Sequence, residues 1–304
     1  MATNRDTPSS EDIEDCLKQA LEFGIQGKFK EAIEIYNGII KKDSGNYSAW
    51  HLKGVMLFYL GQNEEAIICY NKAILIQPKD TGAWREKAKA LLELDNCKEA
   101  VECCGKALKL ESNDADTWRV KGGALFELNK PKDAIKCYDK AIKIEPRDAI
   151  TWFVKGEANS KLGRTKEAIA DYSKATELKP DFVLAWNRAS EIFVKLRLFD
   201  DAMYCYDKLT SLLPNDAKAW SAKGEALCKF GKYARAIFCF DKVTDLFPGM
   251  VIAWKLKGKT FFDFGQYEDA IRCCDKVTEL EPNDDFARRL KGEAMHILES
   301  NKKW

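Results

Sequence analysis

The chain has 304 residues, with 49 Lys and Arg against 48 Asp and Glu, a formal net charge of +1 and a pI near 7.4. This balance leaves no net basic footprint for nucleic acid or an anionic membrane surface, so neither is expected as a partner. No apolar run is long enough to span a bilayer, the first twelve residues lack the apolar stretch of a secretory signal, and eleven cysteines cannot all pair. A reduced, cytoplasmic protein is expected.

In chain order, a polar leader (1–12) is followed by an internal repeat. Tryptophans fall at Trp50, Trp84, Trp118, Trp152, Trp186, Trp220 and Trp254, each 34 residues after the last. With Trp as position 4, eight units begin at Ile13, Tyr47, Thr81, Ala115, Ala149, Val183, Ala217 and Val251, and a tail (285–304) follows the repeat region 13–284. Position 20 is Ala in all eight units, from Ala32 to Ala270, and position 24 is aromatic in six, as in Tyr36, Tyr70 and Phe240. Position 8 is Gly in five and position 32 is Pro in six.

Each recurrence predicts local structure. Apolar residues over positions 1–14 follow helical spacing, as in Trp84, Ala88 and Leu91. Position 15 is Gly, Asp or Asn in seven units, residues that tolerate the left-handed conformation ending a helix. Arg197 is the exception and predicts a longer or strained turn. Positions 18–31 form a second helix, which Pro then ends. Small residues at positions 8 and 20 allow close helix approach, and large aromatics at positions 4 and 24 fill the space left. Such a hairpin buries its apolar face only by stacking on its neighbours. The tail is expected to form a solvating cap helix.

The pattern of Trp, Gly, aromatic, Ala and Pro at this period resembles the tetratricopeptide repeat (TPR) family over 13–284. The resemblance implies an all-α, right-handed α-α superhelix of helix-turn-helix units. One departure is systematic. Position 7, usually Leu in the family, is Lys53, Lys87, Lys121, Lys155, Lys223 and Lys257. This version is similar to archaeal and bacterial multi-repeat arrays.

No catalytic motif is present: there is no G-x-S-x-G, P-loop or H-E-x-x-H. The two histidines, His51 and His296, lie in opposite end regions of the array. Six cysteines share position 23, but equivalent atoms of stacked helices lie ~8–10 Å apart. A zinc site needs sulfurs within ~4 Å of each other, and a disulfide needs them closer still. No catalytic residue, metal or cofactor is expected. Related helical repeats that read nucleic-acid bases need a basic repeated code, which is missing here.

The family resemblance places the first helices along a concave groove, with positions 2, 5, 9, 12 and 13 pointing into it. On that assignment the partner-binding residues are Leu17, Leu21, His51, Val55, Phe58, Tyr59, Arg85, Lys89, Arg119, Phe126, Phe153, Glu157, Asn187, Glu191, Glu225, Lys255 and Lys259. An apolar stretch (Leu17, Leu21, Val55, Phe58, Tyr59) leads into a basic cluster (Arg85, Lys89, Arg119, with His51 beside it). An acidic row (Glu157, Glu191, Glu225) comes next, then two lysines. The basic cluster lacks the Asn residues of the carboxylate-clamp repeats. It is either a looser anion-binding patch, since Arg grips carboxylate or phosphate with paired bonds, or a solvated face. The acidic row either faces a partner or pairs i,i+4 with Lys161, Lys195 and Lys229. Exposed apolar residues mark contacts, with a partner's segment, a second copy or the leader as candidates. The expected function is a non-catalytic scaffold that binds a protein or peptide segment in the groove. The alternative is a self-associating structural protein, a homo-oligomer joined through the array ends.

Overall fold

The computed structural model describes residues 10–301. Residues 1–9 of the leader and Trp304 lie outside this range. Among the described residues the secondary structure is helical, in antiparallel pairs. First helices are α1 (Ser10–Ile25), α3 (Tyr47–Tyr59), α5 (Thr81–Glu93), α7 (Ala115–Glu127), α9 (Ala149–Lys161), α11 (Val183–Lys195), α13 (Ala217–Lys229) and α15 (Val251–Asp263). Second helices are α2 (Phe29–Lys42), α4 (Asn63–Ile76), α6 (Cys97–Leu110), α8 (Pro131–Ile144), α10 (Thr165–Leu178), α12 (Phe199–Leu212), α14 (Tyr233–Leu246) and α16 (Tyr267–Leu280), with α17 (Asp285–Asn301) last. The chain forms two compact units, one ending at Asp171 and one beginning at Tyr172. Among the described residues, no helix is long and apolar enough to cross a membrane.

Within each unit the hairpins pack on the recurring small and large residues. All eight position-20 alanines are fully buried. Three of the position-8 glycines face the aromatic ring of their own hairpin's second helix: Gly54 faces Tyr70, Gly122 faces Tyr138 and Gly224 faces Phe240. A Cβ at Gly54 would sit 2.6 Å from the Tyr70 ring. The glycine is therefore what lets the two helices close on a buried ring.

All eight turns between first and second helices use the left-handed conformation at position 15, including Asp95, Asn129 and Arg197. Arg197 has φ 59°, so its turn is not longer than the others. It holds the shared geometry with a residue poorly suited to it, and its guanidinium donates to the Lys229 carbonyl at 2.5 Å. The first helices α3, α5, α7, α9 and α13 open on a side-chain cap at position 34 of the preceding repeat, whereas α11 and α15 follow Phe182 and Met250 and have none. Asn46, Asp80 and Asp216 accept from the Ala49, Ala83 and Ala219 amides at 3.0, 3.0 and 2.8 Å.

The tryptophans do more than fill space. Each indole N–H donates to the backbone carbonyl six residues earlier, from Trp50 to Ser44 at 3.0 Å through Trp254 to Pro248 at 2.8 Å. This bond ties a first helix to the turn before it. Except at Trp186, the rings are only partly buried. Position-7 lysines cover several of them, with Lys155 5.2 Å from the Trp152 centroid and Lys257 4.8 Å from that of Trp254. The unusual Lys thus sits on the Trp face and reaches an acid of a neighbouring second helix. Lys155 bonds Asp139 at 2.9 Å, Lys223 bonds Asp207 at 2.6 Å and Lys257 bonds Asp241 at 2.8 Å.

All eleven cysteines are free thiols. Burial raises those in the interior, to about 12 for Cys104, Cys205 and Cys273. Among the described residues, no group of three or more His, Cys, Asp or Glu side chains could hold a metal ion.

Candidate functional site

In the first unit, residues of α3, α5, α7 and α9, with Tyr138 of α8, surround an open depression of about 350 Å3. Its lining is Phe58, Lys89, Leu92, Glu93, Arg119, Val120, Gly123, Tyr138 and Val154. The floor is apolar and the charges stand among it. Gly123 makes room: a Cβ there would meet nothing within 4 Å. The size and the mix of apolar walls with a few polar groups suit a side chain of a bound segment.

Of the residues singled out from sequence, Phe58, Lys89 and Arg119 converge here. Leu17 and Val55 are partly buried and pack against the core of the first hairpins. Phe126 packs against Ala134, Tyr138 and Ala158. Leu21 is exposed, and Tyr59 is 64 % exposed and stacks on Phe29 with centroids 5.4 Å apart. Phe153 and Glu157 are half-buried on α9. In the second unit, the Asn187 carbonyl accepts the Ser190 hydroxyl at 2.7 Å, and Glu191 lies 3.5 Å from Arg188. Glu225 is exposed. Lys255 pairs with Asp284, and Lys259 pairs with Asp263 and lies 5.6 Å from the Phe262 centroid.

The basic cluster has an arrangement that neither sequence reading described. Arg85 bonds Asp114 at 2.8 Å and lies 3.3 Å from Asp116. Lys89 bonds Asp116 at 2.8 Å and Glu86 at 3.2 Å. Arg119 pairs with Asp116 and lies 3.8 Å from Asp148. Four carboxylates therefore face three cations. Asp114 and Asp148 are also helix caps, accepting from the Thr117 and Ile150 amides at 3.2 and 3.0 Å. Position 5 of one unit thus reaches the cap of the next first helix, and Lys255 with Asp284 repeats the arrangement. Burial pushes the Asp114 carboxyl up, but hydrogen bonds from Thr117 and Arg85 outweigh it and hold it below the usual range. Asp116 is held low in the same way, against burial, by Lys89, Arg119 and Arg85.

His51 is not a further cation. Its Nδ1 lies 3.0 Å from the Tyr47 hydroxyl, and its Nε2 is buried with no partner. Burial lowers its pKa, against the pull of Asp80 and Glu86. On α9, Lys161 lies over the Phe126 ring, 4.5 Å from its centroid. Leu92, Glu93 and Gly123 fall at the groove positions 12, 13 and 9 but are not among the partner-binding residues expected from sequence, and Val120, Tyr138 and Val154 lie outside the groove positions. The available signal was the Gly122–Gly123 doublet, in which one glycine answers to helix packing and leaves the other unexplained.

The tetratricopeptide repeat family profile matches residues 47–80, 115–148 and 149–182. A profile described as anaphase-promoting complex, cyclosome, subunit 3 matches 195–277, and one for the protein prenyltransferase alpha subunit repeat matches 29–60. Among solved structures, the chain is similar to MamA at 23 % identity and a TM-score of 0.50, over 53 % of this chain and 94 % of that one. It is similar to a chain of the APC/C hetero-tetramer Cut9–Hcn1 at 16 % identity and 0.51, over 95 % of this chain and 57 % of that one. A thermophilic TPR protein of Thermus thermophilus aligns at 16 % and 0.51, over 60 % and 99 %. A search of curated proteins finds no match. The fold is an all-α repeat of stacked helix-turn-helix hairpins, and the chain carries tetratricopeptide repeats at residues 47–80 and 115–182.

Proposed function

We propose that this protein is a non-catalytic scaffold of eight repeat units, and that it binds an extended segment of a partner protein on the first-helix surface of its first unit. The observation that carries this reading is the depression of about 350 Å3 among α3, α5, α7 and α9, open and apolar at its floor. Phe58, Leu92, Val120 and Val154 receive an apolar side chain of the segment. Lys89 and Arg119 already have carboxylate partners, so they offer hydrogen-bonding edges to the segment's backbone more than a net positive charge. Specificity then rests on the apolar anchor, and an acidic terminus is not required.

The test is selection of a random peptide library on the immobilised full chain. Selected peptides are expected to share a large apolar residue and to bind Gly123→Phe at least tenfold more weakly, because the new ring occupies the depression. Selected peptides that bind Gly123→Phe as tightly as wild type would overturn the reading. A chain whose solution mass exceeds a monomer, and which enriches no peptide, would favour self-association instead.

A further inference from the structure

The largest cavity described lies elsewhere, in the second unit, between α10 and α12 and floored by α11. Its volume is about 770 Å3, and its lining includes Ser173, Glu177, Trp186, Ala189, Tyr204 and Lys208. What belongs in such a place can be read from the other repeats. In the fifth, seventh and eighth repeats, the position-7 lysine lies over the face of its own Trp and bonds an Asp at position 25 of the second helix before it. Lys223 does this with Trp220 at 5.2 Å and Asp207 at 2.6 Å, and Lys257 with Trp254 at 4.8 Å and Asp241 at 2.8 Å. Lys155 does the same with Trp152 at 5.2 Å and Asp139 at 2.9 Å.

In the sixth repeat both partners are gone. Position 7 is Ala189, the one interruption in the lysine series running from Lys53 to Lys291, and the preceding position 25 is Ser173. Both replacements line the cavity. The aromatic that the lysine would cover remains and lines the cavity: Trp186, 9 % exposed, still donates to the Pro180 carbonyl at 2.9 Å. Tyr204 has joined it, edge-on with centroids 5.7 Å apart, and is 56 % exposed. Around this floor stand Glu177, Asp181 and Asp201, with Lys208 as the lining cation and Glu177 paired with Lys174 at 2.8 Å. Lys208 lies over Tyr204, 5.4 Å from its centroid, and not over Trp186. The site has kept its aromatic platform, lost its own ammonium, and carries an excess of carboxylate.

We propose that this cavity is a second docking site, which takes a lysine side chain from a basic segment of a partner protein and seats its ammonium over Trp186, where the second, fourth, fifth, seventh and eighth repeats seat their own position-7 lysine. Cation–π attraction to a Trp face is strongest where the cation is desolvated, and a cavity of this volume admits the lysine stem with its flanking backbone. The site is distinct from the depression on the first helices, which takes an apolar anchor.

The test uses the full chain labelled with 15N and a blocked peptide with a central lysine between neutral residues. The indole N–H signal of Trp186 is assigned by its loss in Trp186→Phe. Titration with the lysine peptide is expected to shift this signal and leave those of Trp152 and Trp220 in place. The same peptide with norleucine in place of lysine should bind at least tenfold more weakly. The double variant Ser173→Asp/Ala189→Lys, which restores the internal pair, should lose the shift and melt no lower than wild type. If that variant does not fold, Glu177→Gln/Asp201→Asn, changed only at exposed carboxylates, should weaken the lysine peptide severalfold. The proposal is overturned if the norleucine peptide binds equally well or if the Trp186 signal does not respond to the lysine peptide. A response to tetramethylammonium without one to the peptide overturns the protein segment as the source. A Trp186 shift on raising protein concentration alone overturns it in favour of a second copy of the chain.

Discussion

Gly122 and Gly123 are neighbours on α7 with opposite roles, and replacing each by Ala separates packing from helix propensity. Both substitutions gain the ~0.5–1 kcal/mol that Ala offers over Gly within a helix. At Gly123 the new methyl enters open space, since nothing lies within 4 Å of it. Gly123→Ala should therefore stabilise the first unit by about that amount. At Gly122 the methyl would stand 2.7 Å from Cδ1 of Tyr138 and nearer still to Cε1. Tyr138 is 2 % exposed and packs with Ala134, Ile135 and Ala158, so its ring is held in place except on the side of the depression it lines. Overpacking of that kind costs ~1–3 kcal/mol, which exceeds the propensity gain. Gly122→Ala should destabilise by about 0.5–2 kcal/mol as the difference of those two effects. The assay is urea unfolding of both variants beside wild type, followed by far-UV circular dichroism and by hydrogen exchange of α7 and α8 amides, because repeat proteins can lose hairpins separately. The two variants should fall on opposite sides of wild type. Equal shifts in the same direction would refute the argument that Gly122 is fixed by the Tyr138 ring.

Three further outcomes follow from the fold. Trp152→Phe keeps most of the ring but loses the bond to the Pro146 carbonyl, 2.9 Å long and exposed, so thermal unfolding should show a loss of about 1 kcal/mol; no loss would mean the indole bond contributes nothing. Arg197→Gly should stabilise the second unit by up to ~1 kcal/mol, since a non-Gly residue in the left-handed region is held there at ~1–2 kcal/mol and the lost bond to the Lys229 carbonyl offsets part of the gain; chemical denaturation would contradict this if the variant is weaker. Stability of the first unit should fall as pH drops below the ordinary His value of 6.5, because burial lowers the pKa of His51, so the unfolded chain takes up the proton first. A second fall should follow as pH passes below the ordinary carboxylate value of 3.8, where Asp114 and Asp116 stay charged in the fold but not in the unfolded chain. Denaturant titrations across pH should show the first step vanish in His51→Phe; a step that persists would assign it to another group.

The class of fold was legible because its determinants are local and repeat. The Ala row must be small, the Trp and Tyr rows must be large, and Gly, Asn or Asp must end the first helix, so each hairpin announces itself within one period. Arg197 shows where local reading stops. Sequence predicts trouble at that turn, yet the neighbouring hairpins impose the shared left-handed geometry and the chain complies. The charged surface was less legible because its partners are remote. Arg85 lies 29 residues before Asp114, whose carboxylate also caps α7. Only when position 34 is seen as a cap does its pairing with position 5 become visible. The position-7 lysines were conspicuous in the sequence, but the acids that Lys155, Lys223 and Lys257 bond lie in the preceding second helix, a contact that stacking creates. The depression around Gly123 was hidden for a similar reason: its lining combines groove positions with Val120, Val154 and Tyr138, which the repeat pattern assigns to the interior.

The central claim is that a partner's segment occupies the first-helix depression of the first unit. The most direct measurement is a methyl-resolved NMR titration of the full chain with the tightest peptide from the library selection. The account predicts that the methyl groups of Leu92, Val120 and Val154 shift first and together, and that those of Ile68 and Leu75, exposed on α4, stay in place. Shifts confined to Ile68, Leu75 or other second-helix methyls, with Leu92, Val120 and Val154 unmoved, would contradict it.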